Sequence, residues 1–403
     1  MKWVKDDLGT LPLKSWCDSL EDGALKQASN LASHPFVFRH VALMPDCHVG
    51  YGMPIGGVIG CDNAVIPNAV GVDIGCGMGA VRTNLPVDVA IPELIEKVLH
   101  SVKRSVPVGE GRAHSSRQAW DVLDSRDGDR PGGVDSHCWN LAYCNLGTLG
   151  GGNHFIEMQK GDDGFVWLMI HSGSRNLGYR IAEHYHKLAL ELNERWNAAI
   201  PDRQLAYLPA DSAEGQAYIC DMNFALDYAR ENRRRIMEAF KREMSMVFKD
   251  AAFISEVNIH HNYAALENHV GKDVWVHRKG ATSAKTGETG IIPGSMGTAS
   301  YIVEGLGNPE SFMSCSHGAG RRMGRADACR SLSKEECDKA MEGIVFDGFK
   351  AAKGKFRRNA PKGAVYDLEE APLAYKDIED VIASELDLVR PVVKLRPLGV
   401  VKG

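Results

Sequence analysis

The stretch Gly71-Val72-Asp73-Ile74-Gly75-Cys76-Gly77-Met78-Gly79 belongs to a segment, residues 41–85, of short apolar runs that glycine interrupts. Runs of this kind are typical of β-strands, and glycine lets a second segment approach the backbone closely. Similar Gly-rich β-type sequence returns between residues 259 and 324, and a mostly helical region separates the two parts. The pattern predicts an α+β fold with a β-rich core that two distant parts of the chain assemble.

Hydrophobic spacing predicts helices around this core, near residues 20–32, 91–106, 178–198 and 215–250, of which the last two form a central helical insert. A buried strand is expected at Phe165–Ile170 and a closing strand at Val392–Val401, with the rest of the last 80 residues helical. Four arginines of the longest helix lie off its apolar face, which predicts a solvated surface: Arg230, Arg233, Arg234 and Arg235. Helices and strands do not alternate as βαβ units, which argues against a doubly wound parallel sheet.

Composition excludes several classes of protein. Lys and Arg total 47 against 52 Asp and Glu, so the net charge of −5 rules out a generally basic nucleic-acid coat but not a local cationic groove. The sequence has no run of about eighteen apolar residues that could span a bilayer, and its first residues lack the apolar core of a signal peptide. Ten cysteines in a chain of 403 residues indicate reduced thiols rather than a disulfide framework. We therefore expect a cytoplasmic protein without a membrane partner.

A metal site is the first chemical expectation. Asp73 and Cys76 stand three residues apart in a Gly-rich loop, and a carboxylate with a thiolate suits a divalent transition metal. His154, His171 and His261 each lie in a loop or at a strand end, so the five side chains could hold two ions that share one sulfur. A buried structural cysteine beside a turn aspartate remains the alternative. Ligand softness favours zinc or iron over manganese and leaves the ion open.

The second chemical feature is Ser314-Cys315-Ser316-His317-Gly318-Ala319-Gly320-Arg321-Arg322. Small residues and backbone N–H groups can surround a phosphate, an arginine can offset its charge, and a neutral imidazole is a competent nucleophile towards phosphorus. The loops 171–175 and 277–281 add further cations that suit oxyanions. The sequence lacks both a P-loop and a Lys-x-Asp-Gly motif, so His317 is the best candidate for a covalent nucleotide. A glycine turn before a helix is the alternative.

Together these motifs resemble those of the RtcB RNA ligases. The shared motifs are, in chain order, Met44-Pro45-Asp46-x-His48, Gly71-Val72-Asp73-Ile74-Gly75-Cys76-Gly77-Met78, Gly152-Asn153-His154-Phe155, His171-Ser172-Gly173-Ser174-Arg175, His261-Asn262, Pro293-Gly294-Ser295-Met296-Gly297 and Ser316-His317-Gly318-Ala319-Gly320-Arg321. Several are long and unusual, and they run from about residue 36 to the C-terminus. The resemblance implies one RtcB-like catalytic domain over residues 1–403.

The resemblance also implies an activity. RtcB ligases join RNA ends bearing a 3′-phosphate or a 2′,3′-cyclic phosphate to 5′-hydroxyl ends, with GTP and two Mn²⁺ ions. His317 would take GMP from GTP and pass it to the RNA 3′-phosphate, and the 5′-hydroxyl would then expel GMP. The implied substrates are broken or spliced ends of tRNA or rRNA, and an activating protein such as archease is an implied partner.

Site residues follow from the same resemblance. Cys76 would bridge the two ions, one of them also held by His171 and His261 and the other by Asp73 and His154. The implied nucleotide contacts are Asn153, Glu157, Ser295, Gly318, Gly320, Tyr375 and Lys402. The implied RNA or phosphate contacts are Arg175, Lys279 and Arg321.

Two departures from the family pattern lie beside His48. Cys47 occupies a position where an aliphatic residue is commoner, and the segment 49–54 differs from the version of the best-known bacterial members. Both bear on which RNA is accepted, and a specialised paralogue is one interpretation. Two other functions remain open from the residues: a dinuclear metal-dependent phosphoesterase or nuclease acting on RNA ends, and an RNA-binding scaffold with a structural metal.

Overall fold

The computed structural model describes residues 1–351 and 366–403, and in these residues two sheets form the core. The first sheet has the spatial order β1 (Trp3–Lys5), β2 (Leu13–Ser15), β3 (Val37–His48), β4 (Ile55–Cys61), β12 (Lys272–Lys279) and β11 (Asn262–His269). The second has the order β10 (Phe253–His260), β6 (Gly77–Pro86), β8 (Phe165–Ser172), β7 (Phe155–Gly161), β17 (Val389–Lys402), β15 (Ser300–Gly305) and β14 (Thr289–Ile292).

Two short strand pairs complete the described β-structure, namely β5 (Ala64–Val65) with β9 (Leu208–Pro209), and β13 (Ala281–Ser283) with β16 (Ser314–Ser316). Only β2 and β3 pair in parallel among the strands of residues 1–351 and 366–403. Both sheets combine strands from the first and second halves of the chain. The predicted α+β fold with an interleaved β-rich core is confirmed, and so is the exclusion of a doubly wound sheet.

Helices pack around the sheets. They are α1 (Asp22–Ala32), α2 (Pro67–Val70), α3 (Pro92–Ser105), α4 (Asp121–Ser125), α5 (Ser136–Asn145), α6 (Leu177–Arg195), α7 (Ala213–Val247), α8 (Arg325–Ser331), α9 (Lys334–Ala340) and α10 (Ile378–Ser384). The predicted helical insert is confirmed as α6 and α7. Among the described residues no helix combines the length and apolar character needed to cross a membrane.

The longest helix, α7, differs from its sequence interpretation in one respect. Ser212 caps it by accepting a hydrogen bond from the Gly215 amide, and its apolar face packs against β6 and β8. The expectation of a solvated arginine face was wrong for Arg233, because this side chain is fully buried with Asn232 beside it. A helix-wide pattern could not reveal this, because the residues that surround Arg233 come from other segments.

The C-terminal region also differs from the expectation. Of the described residues between 324 and 388, only α8, α9 and α10 are α-helical. Two glycines with positive φ values and one proline prevent a longer helix between α9 and α10, because neither residue type continues a helix readily: Gly343, Gly348 and Pro372. The expected helix over residues 352–365 falls outside the residues that the structure describes. The closing strand is confirmed as β17.

Candidate metal and nucleotide site

Strand register brings the five expected metal ligands to one place. In the second sheet, Met78 of β6 is opposite His171 of β8, and Phe155 of β7 is opposite the same histidine from the other side. The end of β10 lies along the start of β6, with Ile259 opposite Met78. The loop before β6, the residue before β7, the end of β8 and the residue after β10 therefore meet at one end of four adjacent strands.

The distances among these side chains describe two groups around one sulfur. The Sγ of Cys76 lies 3.5 Å from His154 Nε2 and 3.2 Å from His171 Nε2. On one side, His154 Nε2 is 3.6 Å from Asp73 Oδ2; on the other, His171 Nε2 is 3.4 Å from His261 Nε2. The structure thus brings together all five residues predicted as ligands.

Backbone carbonyls fix the orientation of two of the imidazoles. His154 Nδ1 is 3.0 Å from the Leu149 carbonyl, and His171 Nδ1 is 3.2 Å from the Asn153 carbonyl. Each Nδ1–H donates to its carbonyl, so the Nε2 lone pairs point at Cys76. This arrangement is usual for metal-binding histidines. The Nδ1 of His261 is buried without a partner among the described residues.

Burial sets the protonation of the cluster. Desolvation lowers the pKa of His171 and His261 well below the ordinary value and, with the charge of Asp73, raises the pKa of Cys76 well above it. His171 and His261 are therefore held neutral, as ligands must be, while the thiolate of Cys76 needs a cation. Three imidazole nitrogens, a sulfur and a carboxylate are a donor set that fits a divalent transition metal.

Two side chains of α7 hold the ligand-bearing segments together. Arg233 donates from Nη1 to the carbonyls of Gly75 (2.8 Å) and Ser172 (2.9 Å), and from Nε to Asn258 Oδ1 (2.8 Å). Asn232 donates to the Thr148 and Gly173 carbonyls and accepts from the amides of residues 147 and 148. These bonds link the segments that carry Cys76, His154, His171 and His261.

The expected nucleophile lies directly beside the cluster. The rings of His317 and His261 have centroids 4.9 Å apart. His317 Nδ1 lies 2.6 Å from Oδ2 of the buried Asp46, and the His317 backbone amide donates to the same oxygen at 3.1 Å. The Nδ1–H is therefore held by the carboxylate, which leaves the Nε2 lone pair free to attack an electrophile.

Two glycines permit this geometry. Gly280, at φ 59°, lies under the His317 ring, and a Cβ there would collide with Ile55 Cγ2 and lie 3.1 Å from the Cε1 atom of His317. Gly320, at φ 70°, crosses Asp46, and a Cβ there would be 2.5 Å from the Asp46 carbonyl oxygen. Side chains at either position would combine backbone strain with a collision, so both glycines are required where the histidine meets its carboxylate.

A cleft of about 610 Å³ opens in front of His317. It is lined by His171 from the Cys76 cluster and by seven of the residues predicted to contact nucleotide or phosphate: Asn153, Ser295, Gly318, Gly320, Arg321, Tyr375 and Lys402. Glu157 does not line it but is buried beside Lys402 and accepts a hydrogen bond from Gln159 Nε2 at 2.7 Å. Burial raises the pKa of Glu157, against the opposing charge of Lys402.

Glu370 organises one wall of this cleft. Its carboxylate bonds to the Tyr375 hydroxyl and pairs with Arg321 at 3.3 Å, Arg325 at 3.1 Å and Lys402 at 3.6 Å. Sequence reasoning did not single out this residue, because an acidic pair in a loop carries no spacing signal. It fixes three of the predicted contacts, Arg321, Tyr375 and Lys402, relative to one another.

The remaining predicted phosphate contacts are held by protein groups. Arg321 makes four hydrogen bonds within the chain, to Met323, Glu369, Glu370 and Tyr375. The ammonium of Lys279 is buried against the carbonyls of Tyr51 (2.6 Å) and Asn68 (2.9 Å), away from the cleft lining.

Arg175 lies next to the Cys76 cluster and is not among the residues that line the cleft. It adopts φ 46° and donates from Nε to Thr148 Oγ1 at 2.9 Å. Asp46, Asn232 and Arg233 are, with Glu370, the residues near the site that the sequence interpretation did not assign. Asp46 alone carried a signal, as part of the motif Met-Pro-Asp-x-His.

Comparison with known proteins adds the family context. A family model described as tRNA-splicing ligase RtcB matches residues 27–403. The chain is 38% identical to RNA-splicing ligase RtcB of Escherichia coli K12 over 97% of both chains. It is 34% identical to tRNA-splicing ligase RtcB of Methanococcus maripaludis over 96% of this chain and 92% of the relative. It is 35% identical to RNA-splicing ligase RtcB of Mycobacterium tuberculosis over 94% of this chain and the full length of the relative, 100%.

Proposed function

The chain belongs to the RtcB family of RNA-splicing ligases, as its motifs predicted, and on this premise we propose how its residues perform the ligation. It is an RNA ligase of tRNA splicing or RNA repair. The proposed reaction joins a 3′-phosphate or 2′,3′-cyclic phosphate end to a 5′-hydroxyl end, with GTP as the energy source and a histidine–GMP intermediate. The observation that carries the proposal is the Asp46–His317 pair beside the Cys76 cluster.

His317 acts as the nucleophile. Its Nε2 attacks the α-phosphorus of GTP, a P–N bond forms, and the bond to the leaving pyrophosphate breaks. Asp46 holds the Nδ1 proton throughout and stabilises the positive charge that develops on the ring. The RNA 3′-phosphate then takes GMP from His317, which regenerates the imidazole, and attack of the 5′-hydroxyl on the activated end releases GMP. A cyclic phosphate must first be opened by water to the 3′-phosphate.

The ligand set supports two divalent cations, for which Mn²⁺ is our proposal from the family. Cys76 would contact both, His171 and His261 one of them, and Asp73 and His154 the other, in line with the two groups of distances around the sulfur. Such ions, when bound, polarise phosphorus centres and offset the charge of triphosphate and RNA phosphate. Arg233 and Asn232 keep the ligand segments in register.

The cleft is the proposed nucleotide site. Ser295, Tyr375 and Lys402 lie in its wall, Glu157 is buried beside Lys402, and the loop of Gly318 and Gly320 offers backbone amides to phosphate. Asn153 and Arg175 would contact phosphate groups between the cleft and the metals. Lys279 and Arg321 have supporting roles, since both bond to protein groups. Lys279 holds the loop at Tyr51, and Arg321 positions Tyr375.

The phosphoesterase and scaffold alternatives are not favoured. The curated relatives of the chain are named ligases, and a hydrolase that relies on metal-bound water has no need for a carboxylate-oriented histidine at the metals. The proposal extends to a single catalytic domain over residues 1–403, to a cytoplasmic location suggested by ten unpaired cysteines, and to activation by a protein such as archease.

The test is transfer of label from [α-³²P]GTP to the protein in anaerobic Mn²⁺ buffer, followed by ligation of 3′-phosphate RNA to 5′-hydroxyl RNA. We expect acid-labile GMP on the wild type and none on His317→Ala. His100→Ala is the control, since His100 is an exposed histidine of α3 that does not line the cleft, and we expect it to label like the wild type. Ligation by His317→Ala, or a wild type that never labels, would refute the mechanism.

A further inference from the structure

The hairpin between β3 and β4 places an aromatic ring at the mouth of the cleft. His48 of β3 pairs with Ile55 of β4, and both line the cleft with His317. Tyr51 lies at the tip of this hairpin and lines the same cleft. Tyr51 follows His48 by three residues, so the backbones of the two residues are at most about 10 Å apart. Because His48 lines the cleft together with His317, the Tyr51 ring lies within reach of a nucleotide joined at His317.

Tyr51 is unusual in its exposure. The residue is 70% exposed, more than any other Tyr, Trp or Phe of the described residues, and Val49, two positions earlier, is 42% exposed. An exposed aromatic ring at the rim of a polar cleft offers a ligand an apolar face on which to pack. The loop tip that carries the ring is not floppy, because its backbone is fixed on several sides.

Four side-chain contacts anchor the loop. Glu21 accepts from the Val49 amide at 2.9 Å, and Gln27 bonds to both the amide (3.1 Å) and the carbonyl (2.6 Å) of Gly50. Lys279 donates to the Tyr51 carbonyl at 2.6 Å. Neighbouring side chains therefore hold the backbone polar groups of the loop, while the Tyr51 ring is exposed among the described residues. A rigid loop that presents an exposed ring is the arrangement of a preorganised binding surface.

We propose that Tyr51 is a stacking platform for the terminal base of an RNA end presented to His317, and thus determines part of the RNA specificity. The inference rests on the proposed function. Single-stranded RNA is recognised largely by stacking of unpaired bases on aromatic rings. The guanine of GTP is the other possible occupant, but the residues proposed for it, Ser295, Tyr375 and Lys402, come from segments of the cleft lining other than this hairpin.

The test measures binding of short fluorescent single strands by anisotropy, with one arm for a 3′-phosphate strand and one for a 5′-hydroxyl strand. Tyr51→Ala should weaken binding of at least one of the two strands about 10-fold or more, which is within the range of one base stack. Tyr51→Phe and Tyr51→Trp should retain binding, because both keep an aromatic ring. A strand with an abasic terminal nucleotide should bind wild type and Tyr51→Ala equally. Trp196→Ala is the control, because Trp196 is 44% exposed but does not line the cleft.

The proposal would be overturned if Tyr51→Ala bound both strands as tightly as the wild type does. It would also be overturned if the substitution weakened binding of the abasic strand as much as that of the intact strand. A loss confined to GTP labelling would also overturn it, in favour of the guanine base. Because RNA binding needs no nucleotide transfer, the absence of labelling in the wild type refutes the proposed function separately. An unchanged unfolding midpoint of Tyr51→Ala excludes a folding defect as the cause.

Discussion

Replacing Arg233 with methionine tests whether α7 organises the metal centre. Methionine keeps an unbranched chain of similar length but removes the charge and every donor. The Gly75 and Ser172 carbonyls and Asn258 would each lose a hydrogen bond of 2.8–2.9 Å, and His260 Nδ1 would lose a neighbour at 3.0 Å. The first two carbonyls belong to the segments that carry Cys76 and His171.

The size of the effect follows from opposing terms. Each hydrogen bond from a charged donor contributes about 1.5–3 kcal/mol, and the acceptors left behind are buried. The substitution also removes a fully buried guanidinium, whose desolvation costs several kcal/mol. We expect a net destabilisation of about 2–4 kcal/mol, as the hydrogen bonds exceed the desolvation term. Metal affinity should fall about 10- to 100-fold, as for other residues that orient ligands.

The assay combines calorimetric titration of metal-free protein with Mn²⁺ and absorption spectra of the Co²⁺-loaded protein. The thiolate-to-Co²⁺ charge-transfer band reports directly on Cys76, which a general loss of stability would not alter below the unfolding transition. Arg234→Met is the matched control: Arg234 is adjacent, 53% exposed and paired with Glu231, so its loss should change stability by less than about 1 kcal/mol.

Arg233→Lys separates charge from geometry. A lysine retains the positive charge near Cys76 but cannot reach three acceptors at once, so we expect it to recover little of the lost affinity. Wild-type Mn²⁺ affinity and an unchanged Co²⁺ spectrum in Arg233→Met would refute the positioning role. Full recovery by lysine would show that charge, rather than the fork of hydrogen bonds, is what the cluster needs.

Three further predictions concern His317 and the segment that carries it. Asp46→Asn should slow GMP transfer at least about 100-fold, because the amide can present donors to Nδ1 and select the wrong tautomer, with Mn²⁺ affinity unchanged; normal labelling rates would contradict this. Gly280→Ala should impair labelling more than Gly271→Ala, since both positions have positive φ but only Gly280 faces the His317 ring; equal effects in a labelling time course would argue for backbone strain alone. Burial raises the pKa of Glu385, which accepts from the Ser316 amide at 2.9 Å, from 4.5 to about 8. The folded protein keeps a proton that the unfolded chain releases, so stability should fall as pH rises from about 4.5 to 8, and Glu385→Gln should flatten this fall in thermal melts.

The parts of the site that could be predicted from sequence are those with unusual composition. Asp73 and Cys76 stand among glycines, and each histidine expected to bind metal ends a β-type run or lies next to one, so the ends of strands were a reasonable place for these residues to meet. The interleaved core was predictable for the same reason, because Gly-rich β sequence occurs on both sides of α6 and α7. Pairwise register, such as Met78 opposite His171, required the structure.

The supporting residues could not be predicted, because their role depends on contacts across the fold. Arg233 lies in a run of arginines that reads as a solvated face, yet it is fully buried because four segments converge on that turn of α7. Glu370 is one of two adjacent acids in a loop. Helical expectation failed in the C-terminal region because charged, alanine-containing sequence there is divided by turns into short helices.

The charge of the cleft is a reason to expect a metal site beside His317 in an acidic protein. The fixed cations of one wall, Arg321, Arg325 and Lys402, all lie within 3.6 Å of Glu370, so their charge is partly offset before any ligand arrives. Triphosphate and RNA phosphates bring far more negative charge than this wall can neutralise. A pair of divalent ions at Cys76 would supply the missing positive charge next to His317, at the point where the phosphorus atoms react. The overall charge of −5 is therefore compatible with RNA ligation, because the counter-charge is concentrated where the chemistry occurs.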